Sequence, residues 1–195
     1  MDHMKGNWHQ LQGLAPKTFR CGYCDDKVGS KEGYNFSHSE HGNSWAYIHI
    51  CPSCNRPTYF EAGNQIPGVP FGGAVSNVPA EVQGLYSEAR KCAACAAYTA
   101  SVLALRKLLM HIAVNKGAKA GDSFLGYVEY LANKGFVPPD GRDWVDHMRT
   151  KGNEANHEIV IMKQFDSEEL LTFAEMLLRF IYEFPSRIPR PAKAP

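Results

Sequence analysis

Four cysteines constrain this chain more than any other feature. Cys21 and Cys24 form a C-x2-C pair, 26 residues intervene, and Cys51 and Cys54 form a second pair. Thr18-Phe19-Arg20 leads into the first pair and Ile48-His49-Ile50 into the second. Each is thus a short extended run entering a tight turn bounded by two thiols. Two such turns supply the four soft ligands that a tetrahedral Zn²⁺ site takes. Two disulfides or an iron–sulfur centre are the alternatives. An intracellular setting counts against stable disulfides, and no redox partner supports an iron site. Four thiolates close the coordination shell, so the expected zinc is structural and not catalytic. His38, His41 and His49 are then ordinary loop and strand residues. The stretch between the pairs is rich in Gly, Ser, His and Asn. Its core is too small to fold alone, and the metal is expected to supply much of the folding energy.

The 195 residues leave room for one ordinary domain, or a small one joined to a larger. With 44% hydrophobic and 21% charged residues, the composition is that of a folded, soluble protein. No apolar stretch reaches the roughly 20 residues needed to cross a bilayer, and residues 1–12 hold no apolar signal core. A cytoplasmic setting without a membrane partner follows by elimination. The formal charge is +1. Splitting near residue 78 gives 6 basic and 6 acidic residues before the split, then 15 and 14 after it. Neither part is a polycation, which disfavours tight, sequence-indifferent binding to duplex nucleic acid but leaves local phosphate recognition open. Residues 61–78 are dense in Gly and Pro and read as a linker. Residues 1–78 are therefore expected to be a zinc ribbon and its linker. Tyr23, Arg56, Tyr59 and Phe60 are exposed candidates on it for contacting RNA, DNA or protein.

Residues 79–184 follow a helical pattern. Pro79 suits the first turn of a helix through Glu81, Leu85, Tyr86 and Ala89. A longer helix is expected over about 91–116, with Val102, Leu105, Leu108, Leu109 and Ile112 as its apolar stripe. Asp122 or Ser123 opens a third helix that Gly135 stops, and residues 140–149 form a fourth. Asp166 caps a last helix to Phe184, and residues 185–195 are a Pro-rich tail. The expected fold class is mainly α: an antiparallel helical bundle preceded by the small four-cysteine zinc-ribbon module. Cys92 and Cys95 read as small buried residues of the long helix. Arg106 lies among apolar residues and needs an acceptor, either Glu88, Glu129 or Glu154, or a bound phosphate.

Gly152 and Asn153 break the pattern between two amphipathic runs. A helix ending near Arg149 and another starting at Asn153 would set Arg149 and His157 on either side of a sharp junction. A guanidinium facing an imidazole there can bind and process a phosphate. The blander alternative makes Arg149 a surface cation, Asn153 an N-cap and His157 a first-turn residue.

Tyr86-Ser87-Glu88-Ala89, Leu105-Arg106-Lys107-Leu108-Leu109 and the run from Met148-Arg149 through Gly152-Asn153 to His157 resemble the DUF4145 family, assigned to the HEPN superfamily of small helical domains. That resemblance implies an HEPN-like bundle. It further implies a metal-independent endoribonuclease of a defence or toxin-like system, working as a homodimer on RNA. Arg149, Asn153 and His157 would be its catalytic residues, supported by Arg106. Seven residues separate Arg149 from His157, more than the four to six of the nuclease motif. The second reading is a non-catalytic adaptor that binds nucleic acid or a protein partner in a larger system.

Overall fold

Each cysteine pair closes a hairpin, and the hairpins build a sheet. A computed structural model of the chain describes residues 3–37, 44–137 and 161–188. The chain divides into two units, Met1–Pro70 and Phe71–Pro195. In the first, β1 (Gln12–Arg20), β2 (Lys27–Ser37), β3 (Ser44–Ile50), β4 (Pro57–Glu61) and β5 (Asn64–Ile66) form one sheet in chain order. Every neighbouring pair is antiparallel. Gly33 is required where β2 pairs with β3: a Cβ there would run into the Ile48 carbonyl oxygen. Ala62 and Gly63, at φ 46° and 84°, turn β4 into β5 in the left-handed manner that short hairpins favour. The core of this unit is small: Phe19, Val28 and Phe60 around Cys21, Cys51 and Cys54.

The second unit is helical in its described part. It holds α1 (Ala80–Ala94), α2 (Tyr98–Asn115), α3 (Phe124–Asn133) and α4 (Gln164–Leu178). A π-helical turn, Arg179–Glu183, and a last turn, Phe184–Arg187, continue α4. Tyr86 of α1, Leu105, Leu109 and Ile112 of α2, Leu131 of α3, and Leu171, Phe173 and Leu177 of α4 share one fully buried core. Inside it the Ser167 hydroxyl donates to the Ser101 hydroxyl at 2.8 Å, satisfying two buried polar groups together.

These elements correct the expected fold class. The protein is an α+β mix, 21% strand and 44% helix, and not a mainly α helical bundle with a small appendage. The physical reason lies in residues 27–37. Their Gly and Ser content reads as loop, yet they pair on both edges, with β1 and with β3.

Two helix boundaries also move. The chain breaks at Cys95–Ala97, where Ala96 takes φ 58°, so α1 and α2 are separate helices and Cys92 belongs to the first. At the last helix, Asp166 is not the cap residue but sits inside the first turn, its carboxylate accepting from the Lys163 amide at 2.9 Å. The fourth expected helix, over 140–149, lies outside the described residues.

The Gly/Pro stretch read as a linker is partly ordered on the helical unit. Arg90 donates to the carbonyls of Phe71 (2.8 Å) and Gly72 (2.6 Å), and Tyr86 donates to that of Gly73. The Gly73 amide donates to Glu175 at 2.7 Å and the Ser76 amide to Glu183 at 3.3 Å. Val75 enters the core. A segment without regular structure keeps its amides and carbonyls available, and buried or half-buried side chains of α1, α4 and the π turn take them.

Candidate metal centre

The thiol cluster follows from two turns of the same geometry. In the first, the Cys21 amide donates to the Asp26 carbonyl and the Asp25 amide to the Cys21 carbonyl, both at 2.9 Å. In the second, the Cys51 amide donates to Arg56 at 3.0 Å and the Asn55 amide to Cys51 at 2.8 Å. Asp25 and Asn55 occupy matching places at φ 69° and 59°. Asp and Asn tolerate that conformation better than other residues with a side chain. The turns therefore aim their thiols at one point.

The sulfurs of Cys21, Cys24, Cys51 and Cys54 all lie within 4.8 Å of one another. The closest approaches join opposite turns, Cys21 to Cys54 at 3.7 Å and Cys24 to Cys51 at 3.8 Å. A disulfide would need about 2.05 Å. A tetrahedral ion with metal–sulfur bonds of about 2.3 Å has edges of about 3.8 Å. The four thiols can therefore hold a metal ion. Backbone amides support them, among them that of Tyr23, which donates to the Cys21 sulfur at 3.4 Å. Burial and the crowding of neighbouring thiols push Cys54 up to about 11 and Cys24 further. Burial also opposes ionisation of Cys21, but the amide and thiol contacts outweigh it and bring that group down. A cation bound among such thiols favours their thiolate form.

His49 is not a ligand. It is buried in a ring cluster with Phe19, Phe60 and Tyr47, and burial, reinforced by Lys17, holds its pKa below the usual value. His38 and His41 lie outside the described residues. Phe60 is a core residue and not an exposed contact. Arg56 sits over the Tyr23 ring at 5.2 Å, beside the thiols. Tyr59 faces an open cleft with Tyr34 and Phe36, two aromatics that the sequence reading passed over. Their alternation on β2 was the available signal.

In the helical unit, Arg106 projects from α2 with its guanidinium 4.5 Å from the centre of the Phe124 ring. It is half-buried, burial lowers its pKa, and no ion pair joins it to a carboxylate among the described residues. The expected pairing with Glu88 or Glu129 is not made. Glu154, Arg149, Asn153 and His157 lie outside the described residues. Cys92 is half-buried and Cys95 exposed at the end of α1, and neither belongs to the four-thiol cluster. Burial, then Glu88, raises the Cys92 thiol. No helix among the described residues is long and apolar enough to cross a membrane.

The chain thus has two parts, a sheet unit whose four clustered thiols can hold a metal ion and a helical unit. The helical part carries the family relationship. Residues 87–193, more than half of the chain, match a family model described as Domain of unknown function (DUF4145), and the chain belongs to that family. No curated protein and no solved structure matches it.

Proposed function

We propose that the chain is a metal-independent endoribonuclease of a defence or toxin-like system, its helical unit related to the HEPN superfamily and its sheet unit a zinc ribbon. Arg106 is the observation that supports this reading best. A half-buried guanidinium with no carboxylate partner among the described residues is a charge awaiting an anion, and a phosphate takes guanidinium groups bidentately. In this reading His157 removes the proton of a ribose 2′-hydroxyl, whose oxygen attacks the adjacent phosphorus. The 5′-oxygen leaves with a proton, and the product is a 2′,3′-cyclic phosphate. An imidazole with a reference pKa near 6.5 suits either proton transfer. Arg149 stabilises charge on the pentacoordinate phosphorus, Asn153 orients phosphate or imidazole, and Arg106 supports from α2. One histidine is thin for both acid and base, so a homodimer presenting two is the preferred assembly. Zinc at Cys21, Cys24, Cys51 and Cys54 is structural, because four thiolates leave no open position.

The test is cleavage of a pool of single-stranded and structured RNA by zinc-loaded protein, in chelator and in excess zinc. Cleavage that persists with excess zinc and vanishes in His157→Ala is the expected result. Turnover by His157→Ala equal to that of the parent would sink the assignment.

The alternative is a non-catalytic adaptor. The aromatic cleft on the sheet unit favours it, because such a surface binds without doing chemistry. That reading expects no cleavage by either protein.

A further inference from the structure

Alternate residues of a strand face the same side of a sheet. The register sets Tyr34 opposite Ile48, Ile48 opposite Tyr59, and Phe36 opposite Ala46. These residues line an open cleft of about 270 Å³ within the sheet unit. Apart from Asn35 its walls are rings and alkyl groups, and Phe36 is 54% exposed. Among the described residues, one charged group stands at its edge. Glu61 lies two residues beyond Tyr59 on β4 and pairs across the sheet with Ala46. The Tyr59 phenol is raised above its ordinary pKa, by desolvation first and then by the Glu61 carboxylate beside it. No Lys or Arg lines the cleft among the described residues.

The faces of aromatic rings are negative, and a carboxylate at the rim adds to the same field. That combination selects a cation. An unmodified ammonium brings three N–H donors that must each be satisfied on leaving water, which a mostly apolar wall serves poorly. A methylated ammonium has fewer donors or none, and its methyl groups suit apolar walls. Stacked nucleotide bases would use the same rings, but such sites need a positive groove to follow the phosphates. Residues 1–70 carry six Lys and Arg against six Asp and Glu, and the charge at this cleft is negative. A free small ligand also prefers a pocket that encloses most of its surface. An open cleft across strands suits a side chain presented by a peptide lying over it.

We propose that the cleft of Tyr34, Phe36, Ile48 and Tyr59, with Glu61 at its edge, binds the trimethyllysine side chain of a partner peptide. The experiment titrates the zinc-loaded full chain with a short Gly/Ala peptide bearing a central trimethyllysine. Controls are the unmodified lysine peptide, a peptide with the uncharged tert-butyl isostere, choline, and a single-stranded oligonucleotide. NMR shifts and tyrosine fluorescence report binding. The trimethyllysine peptide should bind tightest, and Phe36→Ala and Glu61→Gln should each weaken it roughly two- to fivefold. Both substitutions are at partly exposed positions, and a melt of each variant confirms that the sheet is intact. Equal binding of the uncharged isostere, or no binding of the trimethyllysine peptide, would overturn the proposal. So would choline binding as tightly as the peptide, or the oligonucleotide displacing it. None of these outcomes depends on whether the helical unit cleaves RNA.

Discussion

Asp25 and Asn55 perform the same task in the two thiol-bearing turns, and Asn55 performs a second one. Its side-chain amide donates to the carbonyls of Met4 and Gly6, both at 3.0 Å, and its own carbonyl accepts from the Trp8 indole at 3.0 Å. The N-terminal segment is thereby fastened to the second turn. Asn55→Ala should cost about 2 kcal/mol, combining left-handed strain with lost hydrogen bonds. Asn55→Gly should recover the backbone share only. Thermal melts of zinc-loaded variants separate the two contributions. Cys51→Ser is a harsher change. It removes one of four ligands from a unit whose core is already small, so metal content measured by mass spectrometry should fall to near zero and the sheet should be lost. In the helical unit, Arg106→Ala should lower stability by no more than about 1 kcal/mol, the worth of its stacking on Phe124. A much larger loss would mean that Arg106 holds the fold together and is not held in reserve for a ligand.

Among the elements, α3 has the clearest start. The Ser123 hydroxyl accepts from the Gly126 amide at 3.0 Å, and Ser123→Ala should cost about 1 kcal/mol in a thermal or denaturant melt. That helix was legible, because Asp122 or Ser123 and Gly135 mark its ends in the sequence, and the structure selects Ser123 as the cap. The stripe of α2 was legible too, since Leu105, Leu108, Leu109 and Ile112 are all buried as their spacing requires. What could not be read was β2. Its partners are its neighbours in the chain, β1 and β3, but no local propensity of Gly29, Ser30 or Gly33 announces a strand. The thiol cluster was the reverse case, since its spacing alone brought the four cysteines together.

The ladder along α4 was hidden for another reason. Glu175, Arg179 and Glu183 are four apart and look like a solvated face. Yet Glu183 is only 2% exposed, and Arg179 bridges the two carboxylates at 2.7 and 2.8 Å, while Arg187 also pairs with Glu183. Burial pushes the Glu175 carboxyl up, but the Gly73 amide and the Arg179 guanidinium outweigh it and leave the pKa below the ordinary value. A depressed carboxyl stabilises the fold above its unfolded pKa of about 4.3, and the gain disappears as pH falls through the folded value. Helical melting temperatures should therefore drop on acidification below about pH 4.3. Glu175→Gln should be less stable at pH 7 and should flatten that dependence.

At the scale of the whole molecule, the four clustered thiols lie in one unit and the family match in the other. The helical core contains none of the four clustered thiols. Chelation, or acid sufficient to protonate the thiolates, should abolish the sheet while the helical circular dichroism persists. Loss of both signals together would mean that the helical unit depends on the metal.

The contacts of residues 71–77 bear on where this domain can be cut. The family model begins at residue 87, but the physical object begins at Phe71. A fragment starting at 87 would lose Val75, Val82 and Tyr86 from the core, leaving the Arg90 guanidinium and two carboxylates without the backbone groups they hold. What is inherited as a recognisable pattern is thus shorter than what can fold. A fragment from residue 71 should express as a cooperative domain, and one from residue 87 should aggregate.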